Sequence, residues 1–187
     1  MANKNDATKV VTGKPKIGGA VYRAPFGTTL PTDTVTPLDG AFVNLGYCSE
    51  DGVTNSNSPE SSETKAWGGD VVLNMQTAKK DTFAFKLIEA LNEDVIKAIY
   101  NAENVTGTLA SGLTIKANNA ENEQASWVFE MILKDHVKRI VIPCASISEL
   151  GDIVYKDDDT VGYEVTLAAV PDTDGQSHYE YIKKAGA

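Results

Sequence analysis

Apolar and polar positions along this chain alternate far more often than they recur at helical intervals, and strict alternation predicts half-buried strands. Residues 81–89 show it most plainly, with Phe83, Phe85 and Leu87 on one face and Thr82, Ala84, Lys86 and Ile88 on the other. Just upstream, Val71, Leu73 and Met75 alternate with Val72, Asn74 and Gln76. Shorter β-friendly runs cover 16–22 and 41–48, while 24–40, with Ala24-Pro25-Phe26-Gly27, Pro31 and Pro37, reads as turn and loop. Further strand-like stretches span 106–117, 125–134, 137–144, 147–155 and 161–170. Trp127, Phe129, Met131 and Leu133 share a face in one, and Val161, Tyr163, Val165 and Leu167 share a face in another. Turn clusters separate them: residues 118–122, Asp135-His136 and Asp157-Asp158-Asp159.

One helix interrupts the series. Asn92 stands where an N-cap belongs, Glu93 and Asp94 fill the first turn, and Val95, Ile96 and Ile99 form an apolar stripe, so a helix is expected over 93–101. Leu91 is placed to staple against Ile96. Two segments lack any periodicity. Residues 1–15 are polar and basic and read as a mobile arm, and 50–66 carry Val53 as their only sizeable apolar side chain. Trp67-Gly68-Gly69 closes this second segment, with Trp67 expected to anchor its base. The fold class that follows is mainly β: an antiparallel β-sandwich flanked by one α-helix, with a long polar loop.

At 187 residues the chain fits one domain, and 42% hydrophobic against 23% charged residues is enough to build a core. A formal charge of −9 disfavours tight binding of phosphate backbones, whose affinity comes from Lys and Arg displacing counterions. The first residues lack the apolar run of a secretory signal, and no stretch approaches the roughly 18 apolar residues of a membrane span, so cytoplasmic folding is expected. Cys48 and Cys144 are too few for a disulfide framework and read as reduced thiols.

Candidate chemistry fails on spacing. Gly13-Lys14 suggests a phosphate loop, but Pro15 stands where Ser or Thr should hold magnesium and Thr8 replaces the leading glycine. Asp172-Thr173-Asp174-Gly175 opens like a calcium loop, yet its glycine comes two residues early and Lys183 occupies the place of the closing Glu. Asp157, Asp158 and Asp159 are adjacent, so their side chains diverge and suit a turn better than an ion. His136 and His178 lie far apart with no nucleophile-rich motif beside either. Asn104-Val105-Thr106 matches a glycosylation acceptor that arises often by chance. No catalytic residue, cofactor or metal ligand is assigned.

The order of several short motifs goes further than any one of them. Ala24-Pro25-Phe26-Gly27-Thr28-Thr29-Leu30-Pro31, then Leu45-Gly46-Tyr47 running into Glu50-Asp51-Gly52-Val53, then Ala66-Trp67-Gly68-Gly69, resembles the major tail tube proteins of long-tailed bacteriophages, the siphophages. Asp81-Thr82-Phe83-Ala84-Phe85, Leu87-Ile88-Glu89 and Asn92-Glu93-Asp94-Val95 resemble the strand-to-helix passage of that family. The likeness covers about residues 16–135, and the remainder agrees in length and pattern.

The resemblance implies a non-enzymatic virion protein, a single tail tube domain over 1–187. It implies a sandwich with one helix, six subunits to a ring, and rings stacked into a hollow tube that conducts genomic DNA without tight binding. It also implies assembly in the host bacterial cytoplasm, with tail tip or initiator, tape measure and tail terminator proteins as partners and no membrane. Unpaired sandwich edges can be covered by the next subunit in a ring, and an acidic wall would let DNA slide where a basic one would hold it. The polar segment, about 50–68, is expected to contact a neighbouring subunit or ring, with Asp51 to Lys65 disordered in the free subunit and ordered only when rings stack. Glu50, Asp51, Val53, Asn55, Asn57, Pro59, Glu60, Glu63, Lys65 and Trp67 are the expected contact residues. Alternatives are the inner tube of a contractile tail or tailocin, and a binding or decoration sandwich of a virion, which would present a concave aromatic patch.

Overall fold

The expected alternation becomes eleven strands around a single α-helix in a computed structural model that describes residues 5–186. The strands are β1 (Gly13–Pro15), β2 (Val21–Pro25), β3 (Val43–Asn44), β4 (Cys48–Lys65), β5 (Val71–Leu87), β6 (Val105–Thr108), β7 (Gly112–Ile115), β8 (Ala125–Leu133), β9 (His136–Leu150), β10 (Tyr163–Ala169) and β11 (Tyr179–Lys184), with α1 (Glu93–Tyr100) between β5 and β6. Nine strands form one antiparallel sheet in the order β3-β2-β8-β9-β10-β5-β4, with β1 added beside β8 and β11 beside β9.

This sheet closes on itself into the expected mainly β sandwich. Three strand steps separate β5 from β8, which a flat sheet would hold about 14 Å apart. Yet Phe83 of β5 stacks on Phe129 of β8 with ring centroids 5.6 Å apart, and Phe85 meets the same ring edge-on at 5.3 Å. The fold turns within β9, whose first part pairs with β11 (His136 to Val141) and whose last part pairs with β10 (Ala145 to Leu150). Pro143 lies at this change of partner, where its missing N–H costs no ladder bond, and Ser126 Oγ donates to its carbonyl at 2.8 Å beside a register shift in β8. Phe83, Leu87, Val95, Trp127, Phe129, Ile142, Val165 and Leu167 fill the interior.

The helix forms for the reasons its sequence suggests. Asn92 Oδ1 accepts the N–H of Asp94 at 3.0 Å, and Val95, Ile96, Ala98 and Ile99 are buried. Asn101, at φ 64°, ends it one residue earlier than expected. No staple closes over the N-terminus, because Leu91 points into solvent with 78% of its surface exposed.

Several expected elements differ. The stretches 137–144 and 147–155 are one bent strand, β9, because Ala145 and Ser146 continue the ladder to β10. The stretch 106–117 is a hairpin, β6 and β7, reversing through Leu109 to Ser111, where Gly107 at φ 87° has no room for a Cβ against the carbonyl of Gly112. Residues 13–15, expected in a mobile arm, pair with Met131 to Leu133, and residues 1–4 of that arm lie outside the described residues. Residues 179–184, assigned no element from sequence, form β11 along β9. The largest difference is the polar segment. It is a strand, β4, because backbone hydrogen bonds to β5 supply an order that its side chains cannot supply by burial.

Candidate assembly surface

β4 and β5 make a hairpin much longer than the body it springs from. Their register runs from Val53 opposite Phe85 to Lys65 opposite Val71, and a glycine turn, in which Gly69 N–H bonds the Ala66 carbonyl at 3.0 Å, closes the tip. Burial stops abruptly along β5. Asp81, Phe83, Phe85 and Leu87 are buried, whereas every residue from 71 to 80 is exposed. At about 3.3 Å per residue the outer part reaches about 30 Å beyond the sandwich. Val71, Val72, Leu73 and Met75 each expose about half of their surface or more along it.

The expected contact residues all lie on β4 or at the tip. Val53, Asn55, Asn57 and Pro59 share the face opposite Phe85, Phe83, Asp81 and Lys79, with Val53 packed on the core and Asn55 donating to Asp81 Oδ1 at 2.7 Å. Glu60, on the other face, pairs with Lys80 at 2.7 Å. Glu63 and Lys65 follow towards the tip, and Glu50 and Asp51 sit at the root beside the irregular pairing that precedes Val53. Trp67 does not anchor the base of the segment. It is in the tip turn and fully exposed, at the end of the hairpin farthest from the core. β4 is also the terminal strand of the sheet, so its outer rim of backbone groups is free to pair, with Pro59 interrupting it. The arm carries no net charge over residues 56–80, where Glu60, Glu63 and Asp70 balance Lys65, Lys79 and Lys80, so the whole −9 resides in the rest of the chain.

A polar cluster fixes the root of the arm. Asp81 Oδ2 accepts from His178 Nδ1 at 2.5 Å, and His178 stands edge-on to Phe83 at 5.3 Å. Glu180 Oε1 lies 3.9 Å from His178 Nε2 and takes an ion pair from Lys138 at 2.8 Å. No partner for His178 was legible in the sequence, since Asp81 is 97 residues away. The available signal was that Asp81 shares the face of Phe83, Phe85 and Leu87 and so had to be buried and paired.

At the opposite end of β5 the chain turns into the helix. Glu89 receives the N–H of Tyr47 at 3.0 Å and the side-chain amide of Asn92 at 2.9 Å, and Gly46, at φ 76°, leaves the room its carboxylate needs. An open groove of about 570 Å³ is lined here by Ile88, Ala90, Leu91, Thr160 and Val161. Tyr47 and Leu91 stand exposed beside it, 75% and 78% of their surfaces in solvent.

Elsewhere the polar contacts hold the body together. The buried pair Glu130 and Arg139 face each other across β8 and β9, Lys16 adds a bond to Glu130 at 2.6 Å, and Arg139 Nη1 donates to the carbonyls of Asp33 and Thr36. This clamps the loop after β2 over the outer face of the sheet. Asp172, a residue of the calcium-like stretch, is occupied by the N–H groups of Asp174 and Gln176 and by the Tyr179 hydroxyl. Burial pushes the Cys48 thiol up to about 11 and raises that of Cys144. Among the described residues no group of three or more His, Cys, Asp or Glu side chains is gathered as a metal would need, and no helix is long and apolar enough to cross a membrane.

No curated protein matches the chain. The family model described as phage tail tube protein matches residues 1–187, the whole length, and the chain therefore belongs to the phage tail tube proteins, the structural subunits of the tail.

Proposed function

We propose that this chain, acting as one tail tube domain over 1–187, is a non-enzymatic subunit of a non-contractile tail. Six copies close into a ring, and rings stack into the hollow tube through which genomic DNA passes. Its partners are further copies of itself and the tail tip or initiator, tape measure and tail terminator proteins, with no membrane involved and assembly in the host cytoplasm. The residues of β4 and the tip, from Glu50 to Trp67, contact the neighbouring subunit.

One observation carries this reading. An antiparallel arm of two strands, with no third strand or helix among the described residues on either face, leaves about half or more of the surface of Val71, Val72, Leu73 and Met75 in water. A lone two-stranded ribbon is marginal by itself, so an arm of this length is stabilised by a surface supplied from outside the chain. In a family whose members form tubes, that surface is another copy. The −9 charge favours a lumen that does not hold DNA phosphates.

Negative-stain electron microscopy of purified protein across a concentration series, with and without a tail-tip nucleus, tests the reading. Rings of six and tubes are expected. A species that stays monomeric at every concentration and never enters tails in an infected cell would overturn it.

A further inference from the structure

Two exposed apolar features lie at the two ends of one strand. Trp67 crowns the turn that leads into β5 at Val71, and the groove lined by Ile88, Ala90, Leu91 and Val161 begins where β5 ends at Leu87. A strand of this length, at about 3.3 Å per residue, holds them on the order of 55 Å apart. The tip therefore cannot reach the groove of its own chain.

We infer that Trp67 docks in this groove on a second copy of the chain, next along the tube. The inference rests on the reading that copies stack, and it names which surfaces meet. Copies displaced along β5 bring the tip of one to the groove of the next in the same orientation each time. Such a contact is heterologous and does not close on itself, which is what a growing tube requires. An indole is large, rigid and apolar with one polar edge, suited to a shallow apolar groove with a polar rim. Tyr47 and Leu91, exposed beside the groove, supply further apolar surface.

Charge agrees with this choice of occupant. Bodies that share the −9 repel one another, but the arm over 56–80 is neutral and reaches an acidic neighbour without that cost. Lys65, two residues from Trp67, meets a groove that Glu89 helps to line and whose Thr160 follows Asp157, Asp158 and Asp159 in the chain. Lys156 already engages Asp158 and Asp159, at 3.6 and 3.5 Å, which leaves Asp157 for the incoming lysine.

The test uses two measurements on assembled tubes. Iodide quenching of the unmodified chain, with a Trp67→Phe chain to subtract buried Trp127, should find Trp67 open in the free subunit and at least several-fold less accessible in tubes. A chain carrying Trp67→Cys and Leu91→Cys should give a ladder of cross-linked multimers on mild oxidation, while either single substitution, which also reports any linkage through Cys48 or Cys144, gives none. Tubes in which Trp67 stays as open to iodide as in the subunit overturn the inference and leave the tube reading standing. Protection of Trp67 without a ladder from the paired cysteines places the tip on another surface and overturns it too. If the doubly substituted chain does not assemble, Leu91→Arg in the otherwise native chain decides. It should restore iodide access to Trp67 or block stacking, and normal tubes with Trp67 protected would refute the groove. Absence of tubes from the unmodified chain overturns the tube reading itself, and this inference with it.

Discussion

Asp81 and His178 meet at 2.5 Å, Oδ2 to Nδ1, at the point where the β4–β5 arm leaves the sandwich. Asp81 is the last buried position on the way out along β5, and His178 immediately precedes β11. The contact thus ties the C-terminal strand to the hinge of the arm, and Asn55 of β4 completes the tie from the other side. His178→Ala should destabilise the fold by about 1–3 kcal/mol, because it strips a partner from a buried carboxylate. Urea unfolding measures it. A double-mutant cycle with Asp81→Asn should show the two losses to be far from additive, and full additivity would mean that the contact contributes nothing.

At the other end of β5, Gly46 and Glu89 form a second critical pair. A Cβ at Gly46 would fall 2.0 Å from Glu89 Cδ, and the residue sits at φ 76°. Gly46→Ala should therefore cost about 1–3 kcal/mol through backbone strain and displacement of a carboxylate that braces Tyr47 and Asn92. In a Glu89→Ala background the additional cost of Gly46→Ala should shrink to the backbone part alone. An unchanged cost in that background would show that the carboxylate contact is irrelevant.

Arg139→Met should be among the most damaging substitutions in the body. It leaves Glu130 buried with only Lys16 as a charged partner and frees the carbonyls of Asp33 and Thr36. Breaking a buried pair from one side costs about 3–5 kcal/mol. Replacing both, as Glu130→Leu with Arg139→Met, should recover much of that loss. Denaturation midpoints compare the two, and a double variant weaker than the single would contradict the account.

The bond from Tyr179 to Asp172 sets two pH limits. The Asp172 carboxyl is lowered, first by the Tyr179 hydroxyl and then by backbone N–H groups, and the Tyr179 phenol is pushed up to about 12 by the same carboxylate. A lowered acid contributes stability above its ordinary value, near 3.8, and loses it as pH falls through the folded value. A raised phenol contributes below its ordinary value, 10.0, and loses that contribution as pH rises through about 12. Burial raises the phenols of Tyr22, Tyr100 and Tyr163 as well, so ultraviolet titration of tyrosinate should show Tyr179 within a group of late phenols, and Asp172→Asn should bring one member of that group back towards 10. A titration that Asp172→Asn leaves unchanged would refute the pairing.

Much of the body was legible because its strands are bounded by turn clusters and carry the core on alternate positions. Phe83, Phe85 and Leu87, and Tyr163, Val165 and Leu167, are buried as their spacing predicts. Their neighbours in the sheet were not legible, since pairing joins residues such as Tyr179 and Val141 through backbone groups that every sequence shares. The polar segment failed for the same reason. Its side chains bury almost nothing, yet residues 71–87 offer a continuous ladder that 48–65 can follow. Trp67 failed for another. An aromatic beside two glycines fits an anchor or a tip equally well, and only the length of the hairpin decides between them.

The arm should be separable from the fold. Residues 58–80 are exposed throughout, whereas Asn57 and Asp81 are opposite one another at the root, so an Asn-Gly turn in place of 58–80 closes the hairpin where burial ends. The interior, the Asp81–His178 contact and the Asn55–Asp81 contact all remain. The thermal midpoint should then stay within about 5 °C of the full chain, since little apolar area buried within the subunit is removed and the closing loop becomes shorter. Assembly should fail, because the trimmed chain has lost Trp67 and the apolar row from Val71 to Met75 together. Hydrogen exchange on the full chain provides an independent check. Amides of 58–65 and 71–80 should exchange quickly in the free subunit, as in a ribbon with no third layer, and slowly in tubes. If the trimmed chain still built tubes of normal diameter and length, the arm would have no part in stacking, and the contacts between rings would have to come from the body.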